Sequence, residues 1–329
     1  MRPLAIALAV LVVPVAAPLA QGGPSFDCAK ATSPVDHVIC KAPEVSKADR
    51  EMAAVYAALA ARLPAPARAD LAKDQVRWIA NRNQVCSGDA GVVANCLKAR
   101  YATRTANLRA LGEGVYPFVG GQAIYSSGKV GKTRFMIDIS YPQFNGTAAD
   151  FSAANRRYAD DAGKSASDAT PATDSSADNE QEWSYEQSFT LHRPGTNAVT
   201  IDLEFYGYSG GAHGFGGTIC TLVDLRSGRL TGPDGVFVAG DQWLKVMVET
   251  VGAALRKQFV KNPGFDDALE PATLGKMLSD ASHYCWRADR LELIFNAYDV
   301  GPFSAGPYSV EISYSRLKPL LRTDGPLGR

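Results

Sequence analysis

The sequence predicts an α+β protein in two parts: a disulfide-linked helical hairpin or bundle, then an α+β domain in which helices pack on an antiparallel sheet. Two patterns support this. Apolar residues recur at helical spacing up to about residue 111. Beyond the GEG stretch at 112–114, several segments alternate apolar and polar residues, as half-buried strands do. The length of 329 residues and the 46% hydrophobic content suggest two domains with sizeable cores.

The helical part is expected to span residues 25–111. In KADREMAAVYAALAARL, the apolar residues Met52, Val55, Tyr56, Leu59 and Leu63 share one helix face, and prolines follow directly. Two further helices have faces marked by Leu71, Gln75, Trp78, Ile79 and Arg82, and by Val93, Leu97, Tyr101 and Leu108.

The second part is expected to span residues 115–322. Its strand-like segments are RFMIDISYP, AVTIDLEFY, LELIFNAY and YSVEISY. Helices are predicted near residues 150–163 and between Trp243 and Phe259. Residues 164–182 are polar and bury little apolar surface, which predicts a mobile loop inside this domain.

The N-terminus has the layout of a secretory signal peptide, assigned to residues 1–22. One Arg precedes an apolar run that ends in small residues. The run is short and interrupted by prolines, and no later stretch is apolar enough to cross a bilayer, so we expect no membrane span. The predicted location is periplasmic or secreted.

The six cysteines form an even set, which in an exported chain favours disulfides over metal sites. The sequence alone does not determine their pairing. We expect two local bridges, Cys28–Cys40 and Cys86–Cys96, and a third between Cys220 and Cys285. The four histidines lack metal-ligand spacing, and no metal or cofactor is expected.

Residues 207–217, GYSGGAHGFGG, contain the G-x-S-x-G pattern of a hydrolase nucleophile elbow around Ser209. An elbow requires a helix after the serine. Here AHGFGG is too rich in glycine to begin one, and TICTLVDL resumes a strand pattern. The stretch therefore predicts a wide β-hairpin with no catalytic residue, and a serine hydrolase using Ser209 is the weaker alternative.

The C-terminal part contains ISYPQFNG, FSAANRRYA, SGGAHG and AYDVGPFSAGPYSVEISYSRLKPLL in this order. Over roughly residues 115–322 these motifs resemble the RsiV/PdaC-type envelope domain, in which they follow the same order. The resemblance implies that the GGAHG turn is not a nucleophile site, and that this type of domain is able to bind lysozyme.

The N-terminal part contains PSFDCAKATSPVDHVIC, LAKDQVRWIANRNQVC and CLKARYATRTANL. Over roughly residues 25–111 these motifs resemble the LprI-type domain. The resemblance implies structural roles for Arg82 and Arg104, which we expect to bridge helices to carboxylates such as Asp74. Members of the family include a lysozyme inhibitor.

Together these resemblances predict a non-enzymatic binding protein of the lysozyme-inhibitor or lysozyme-sensing type. Ser209, Gly210, Gly211, His213 and Gly214 are its candidate contact residues. The net acidic second part favours approach to a basic lysozyme, whereas the net basic helical part opposes it. The alternative is an envelope protein that binds peptidoglycan or another partner without lysozyme. The zero formal net charge argues against nucleic acid as a partner.

Overall fold

The computed structural model describes residues 22–113, 118–172 and 180–328. Most of the predicted signal peptide, residues 1–21, lies outside the described residues. Four helices form the N-terminal part: α1 (Pro34–Lys41), α2 (Pro43–Arg62), α3 (Ala65–Val85) and α4 (Ala90–Glu113). No helix in the described ranges is long and apolar enough to span a membrane.

The helical part has its own apolar core, as the periodicity predicts. Met52, Leu59, Leu71 and Leu97 are almost completely buried there. Ile79, which the sequence placed on the same face as Leu71, is 38% exposed. The expected bridges are present: Cys28–Cys40 ties the N-terminal segment to α1, and Cys86–Cys96 closes the α3–α4 connection.

A buried polar chain crosses this core. The Tyr101 hydroxyl donates to the Asp49 carboxylate at 2.7 Å, and Arg82 donates to the same hydroxyl at 2.6 Å. Burial raises the pKa of Tyr101, so the phenol keeps the proton that it donates. Arg82 also lies 3.6 Å from Asp36 of α1, and Arg104 donates to Asp74 at 2.5 Å. Both arginines therefore bridge helices to carboxylates, as expected.

The C-terminal part contains two sheets. The first has six strands in sequential order: β1 (Phe118–Val130), β2 (Thr133–Asn145), β3 (Gln181–Gly195), β4 (Ala198–Tyr208), β5 (Phe215–Asp224) and β6 (Arg229–Thr231). The second has three: β7 (Tyr284–Trp286), β8 (Arg290–Phe295) and β9 (Tyr308–Ser313). The helices are α5 (Ser152–Ala169), α6 (Pro233–Val236), α7 (Gln242–Phe259), α8 (Pro271–Leu278) and α9 (Tyr314–Leu317).

The prediction of an antiparallel sheet holds for every pair but one. Strands β2 and β3 are parallel, with Asp138 opposite Glu186. A parallel pair needs a crossover connection, and α5 provides it between the two strands.

The prediction of a mobile loop at residues 164–182 was wrong at both ends. Residues 164–169 complete α5, and residues 181–182 begin β3; residues 173–179 lie outside the described residues. The helix continues because Ala162, Ala166 and Ala169 pack against the apolar cluster around Ile137. Small apolar residues within a polar stretch therefore sufficed to bury one face of the helix.

The second sheet and α7 share the largest core. Trp243, Met247 and Val251 of α7 are buried in the same cluster as Trp286 and Phe295 of the sheet. The expected bridge Cys220–Cys285 is present and joins β5 of the first sheet to β7 of the second.

The helical part docks on the first sheet through Asn107. The register between β2 and β3 ends at Ile139 and Gln187, which leaves the next stretch of the β3 edge open. Asn107 of α4 occupies it: its amide donates to the Phe189 carbonyl at 2.9 Å and accepts from the Leu191 N–H at 2.8 Å. One side chain thus replaces a missing strand neighbour.

We expect Asn107→Ala to lower the free energy of unfolding by roughly 1–3 kcal/mol, because two buried backbone groups lose their partner. Urea denaturation measures the change. The matched control is Asn95→Ala, on the same helix at an exposed position, which should leave stability nearly unchanged. Equal stability of both variants would contradict this role for Asn107.

Candidate functional site

The GYSGGAHGFGG stretch forms a β-hairpin, as the sequence predicts. Strands β4 and β5 are antiparallel, and their register ends with Gly207 opposite Phe215. Residues 209–214, here called the hairpin tip, connect them. A strand, not a helix, follows Ser209, so the hydroxyl lacks the helix N-terminus that a nucleophile elbow uses.

Glycines shape the hairpin tip. Gly210 and Gly211 have φ angles of +89° and +94°, a region that other residues rarely adopt. Gly214 is needed for space, because a Cβ at this position would lie 2.3 Å from the Tyr206 hydroxyl oxygen. The glycines are thus explained by the backbone path of the turn and require no catalytic role.

His213 is exposed at the hairpin tip, and two contacts hold its ring. Its Nδ1 lies 2.8 Å from the Gly214 carbonyl, and the ring stacks on Phe303 with centroids 3.9 Å apart. The centroid of the Tyr298 ring lies 6.0 Å from the centroid of the Phe303 ring. Tyr298 and Phe303 remain 56% and 36% exposed. We call His213, Tyr298 and Phe303 the tip surface.

Side-chain hydrogen bonds hold the backbone of the hairpin tip and of β5, the strand that follows it. The Tyr208 hydroxyl donates to the Gly211 carbonyl at 3.0 Å. Asn296, which follows β8, donates to the Thr218 carbonyl and accepts from the Thr218 N–H, at 3.0 and 2.8 Å. This side chain caps the edge of β5 as Asn107 caps β3. The hairpin is therefore held against the second sheet.

The structure brings together only some of the predicted contact residues. Ser209, Gly211 and His213 are exposed, Gly210 is partly exposed, and Gly214 is buried. Sequence reasoning did not assign Tyr298 and Phe303 to the site. Both lie in the AYDVGPFSAG motif that supports the family resemblance, and Tyr298 has a φ of +76°, an unusual value for a bulky residue.

Two other histidines serve structural contacts. His192 Nε2 lies 3.2 Å from Asp202, and His283 Nδ1 lies 2.8 Å from the Ile294 carbonyl. In the described part of the chain, one group of potential metal ligands comes together, Asp202 with Cys220 and Cys285. Its two sulfur atoms are bonded to each other, so neither is a thiolate available to a metal.

Three protein-family models match separate segments. Residues 28–108 match "Lysozyme inhibitor LprI", residues 129–216 match "Deacetylase PdaC", and residues 234–315 match "Protein of unknown function (DUF3298)". The hairpin tip lies in the second segment and Tyr298 and Phe303 in the third. The curated proteins contain no match to the chain.

Two solved structures are similar in part. One is a DUF3298-family protein from Pseudomonas aeruginosa PAO1, with 17% identity, a TM-score of 0.44, and coverage of 63% of this chain and 95% of that chain. The other is a DUF3298-family member from Bacteroides fragilis, with 14% identity, a TM-score of 0.43, and coverage of 64% and 96%.

The disulfides and the family matches are consistent with a protein located outside the cytoplasm. The chain thus combines an N-terminal segment that matches the LprI family with C-terminal segments that match the PdaC and DUF3298 envelope-domain families.

Proposed function

We propose that this protein is a non-enzymatic lysozyme-binding protein of the periplasm or the extracellular space, and that its hairpin tip enters the substrate cleft of the lysozyme. The observation that carries the proposal is the tip surface: a rigid, exposed turn whose histidine stacks on an exposed phenylalanine. The match of residues 28–108 to a lysozyme-inhibitor family supports the choice of partner.

Rigidity matters because binding costs less when the contact element is already ordered. The Tyr208–Gly211 hydrogen bond, the His213–Phe303 stack and the Asn296 contacts to Thr218 of β5 all restrict the hairpin before any partner arrives. Exposed aromatic side chains next to such a turn are the residue types that dominate binding energy at protein interfaces.

The charge of the C-terminal part also favours a lysozyme as the partner. The C-terminal part is net acidic, which favours encounter with a basic lysozyme. Part of the basic surplus of the helical part is neutralised by the sheet, because Arg100 pairs with the buried Asp138 of β2. This arginine therefore contributes little to repulsion.

The test is a titration of the purified protein into a basic lysozyme of the chicken type, with affinity measured by calorimetry and activity by lysis of a cell-wall suspension. We expect binding and slowed lysis. His213→Ala and Phe303→Ala should each reduce the binding free energy by about 2 kcal/mol, the size expected at a hot spot. His37→Ala, an exposed histidine of the helical part, is the matched control and should bind normally.

Other results would favour the alternatives. A protein that neither binds nor slows the lysozyme, yet sediments with isolated cell wall, is an envelope-binding module without lysozyme contact. Turnover of an ester substrate that Ser209→Ala abolishes would make the chain a hydrolase and refute the non-enzymatic proposal.

A further inference from the structure

A second concave site lies between the two parts of the chain. It has a volume of about 960 Å³, and its walls are α3 and α4 on one side and strands β1–β4 on the other. We call it the interdomain cleft. Its size falls in the range of small-molecule sites, which often form where two domains meet. The family descriptions assign nothing to it.

The back of the cleft is preformed. Arg100 of α4 forms a salt bridge to the buried Asp138 of β2 and donates to Asn81 of α3 at 2.7 Å. Asp74 of α3 accepts from the Gly121 N–H of β1 at 2.6 Å. The Arg100–Asp138 and Asp74–Gly121 contacts cross from the helical wall to the sheet wall and fix how the helices dock there. Their charges are also used in pairs and do not attract an ion.

The sheet wall also carries two carboxylates that form none of these salt bridges, those of Glu186 and Glu204. Strand register places Glu186 opposite Tyr206 and Ser188 opposite Glu204, so the two carboxylates are diagonal neighbours on one face. In the three ranges that the structure describes, neither carboxylate accepts a hydrogen bond or forms a close ion pair with a protein group; the charge of Glu186 acts on the Arg100 guanidinium only at longer range. Glu186 and Glu204 are exposed to the cleft and to solvent.

The helical wall and the rim complete the lining. Gln84 of α3 and Thr103 of α4 face the same space, and each carries both donor and acceptor capacity. Two tyrosines line it from the sheet: Tyr125 is partly exposed and Tyr206 is 52% exposed. In the strand register Tyr206 lies opposite Glu186, and Tyr125 lies opposite Asp138.

We propose that the interdomain cleft binds an oligosaccharide. Pairs of sugar hydroxyls donate to carboxylates and exchange hydrogen bonds with amide and hydroxyl groups, and the apolar face of a pyranose ring packs on an aromatic ring. The lining supplies all three kinds of group along one open cleft. Nucleic acid fits poorly, because the unpaired carboxylates repel phosphate, and a lipid tail fits poorly against polar walls.

None of the residues that line the cleft belongs to the hairpin tip, although Tyr206 of the lining contacts Gly214 of the tip. The test of the cleft therefore needs no lysozyme. Chitotetraose, cellotetraose and maltotetraose are titrated into the full chain by calorimetry, with tetralysine as a charge control. We expect at least one saccharide to bind. The double variant Glu186→Ala/Glu204→Ala should weaken that binding roughly tenfold or more, because two charged acceptors are lost.

The matched control is Glu182→Ala, an exposed glutamate of the same strand outside the cleft, which should bind as the unaltered chain does. A second variant, Ala123→Trp, fills the cleft from β1 at an exposed position and should abolish binding without lowering stability. Three results would overturn the proposal: no saccharide binds, the cleft variants bind equally well, or only tetralysine binds, which would define a cation site.

Discussion

Replacement of Asp74 by Ala is expected to lower the free energy of unfolding by roughly 3–5 kcal/mol, because the buried Arg104 guanidinium loses its charged partner and keeps only the neutral Gln75 amide. The Asp74 side chain is 1% exposed and that of Arg104 is 7% exposed, and their closest atoms are 2.5 Å apart. The same carboxylate accepts the Gly121 N–H of β1. The substitution therefore removes two interactions inside the helical part, to Arg104 and to Arg77, and one that joins it to the sheet.

Urea denaturation followed by circular dichroism measures this effect. Asp70→Ala is the matched control: it lies one helical turn earlier, is partly exposed, and makes none of these contacts. It should change stability by no more than about 0.5 kcal/mol. A loss of similar size in both variants would mean that the Asp74–Arg104 pair contributes little beyond a surface charge.

Removal of the disulfide between the two sheets is the second change that we expect to lower the free energy of unfolding strongly. Cys220 and Cys285 are completely buried and 65 residues apart in sequence. Closing a loop of this length reduces the entropy of the unfolded chain by an amount that corresponds to about 4 kcal/mol. We therefore expect the double variant Cys220→Ala/Cys285→Ala to lose about this much stability and to separate the unfolding of the two sheets.

The comparison is Cys28→Ala/Cys40→Ala, where the bridge spans 12 residues. The same relation gives about 3 kcal/mol for this shorter loop, so its loss should be smaller. Denaturation of both variants under identical conditions shows which of them loses more free energy of unfolding. A larger loss for the 12-residue bridge would show that local packing, and not loop length, determines the contribution of these disulfides.

Local patterns predicted the elements that depend on neighbouring residues. The helix faces of the N-terminal part, the strand alternation and the hairpin at residues 207–217 follow from side-chain period and glycine content, which act over a few residues. The end of α5 was not predicted, because its structure depends on residues that are distant in sequence. Residues 164–169 read as polar loop, and their helical state depends on alanines that pack against strands before and after them in the chain.

The candidate site was predicted only in part. Glycine spacing identified the hairpin tip, but Phe303 and Tyr298 reach it from a loop far along the chain, and no local pattern connects them to His213. The interdomain cleft was not predicted at all. Glu186, Glu204, Gln84 and Thr103 are unremarkable polar residues individually, and only the docking of the helices on the sheet makes them neighbours.

The sequence by itself determined the α+β class and the hairpin, because periodicity and turn chemistry are properties of short segments. The short spacing within two cysteine pairs suggested their local bridges, and Cys220–Cys285 was expected only as the remaining pair; the structure contains all three. The tertiary structure decided the parallel β2–β3 pair, the stack of His213 on Phe303 and the cleft. Each of these requires contact between segments that are distant in sequence, and such contacts depend on the packing of the whole chain.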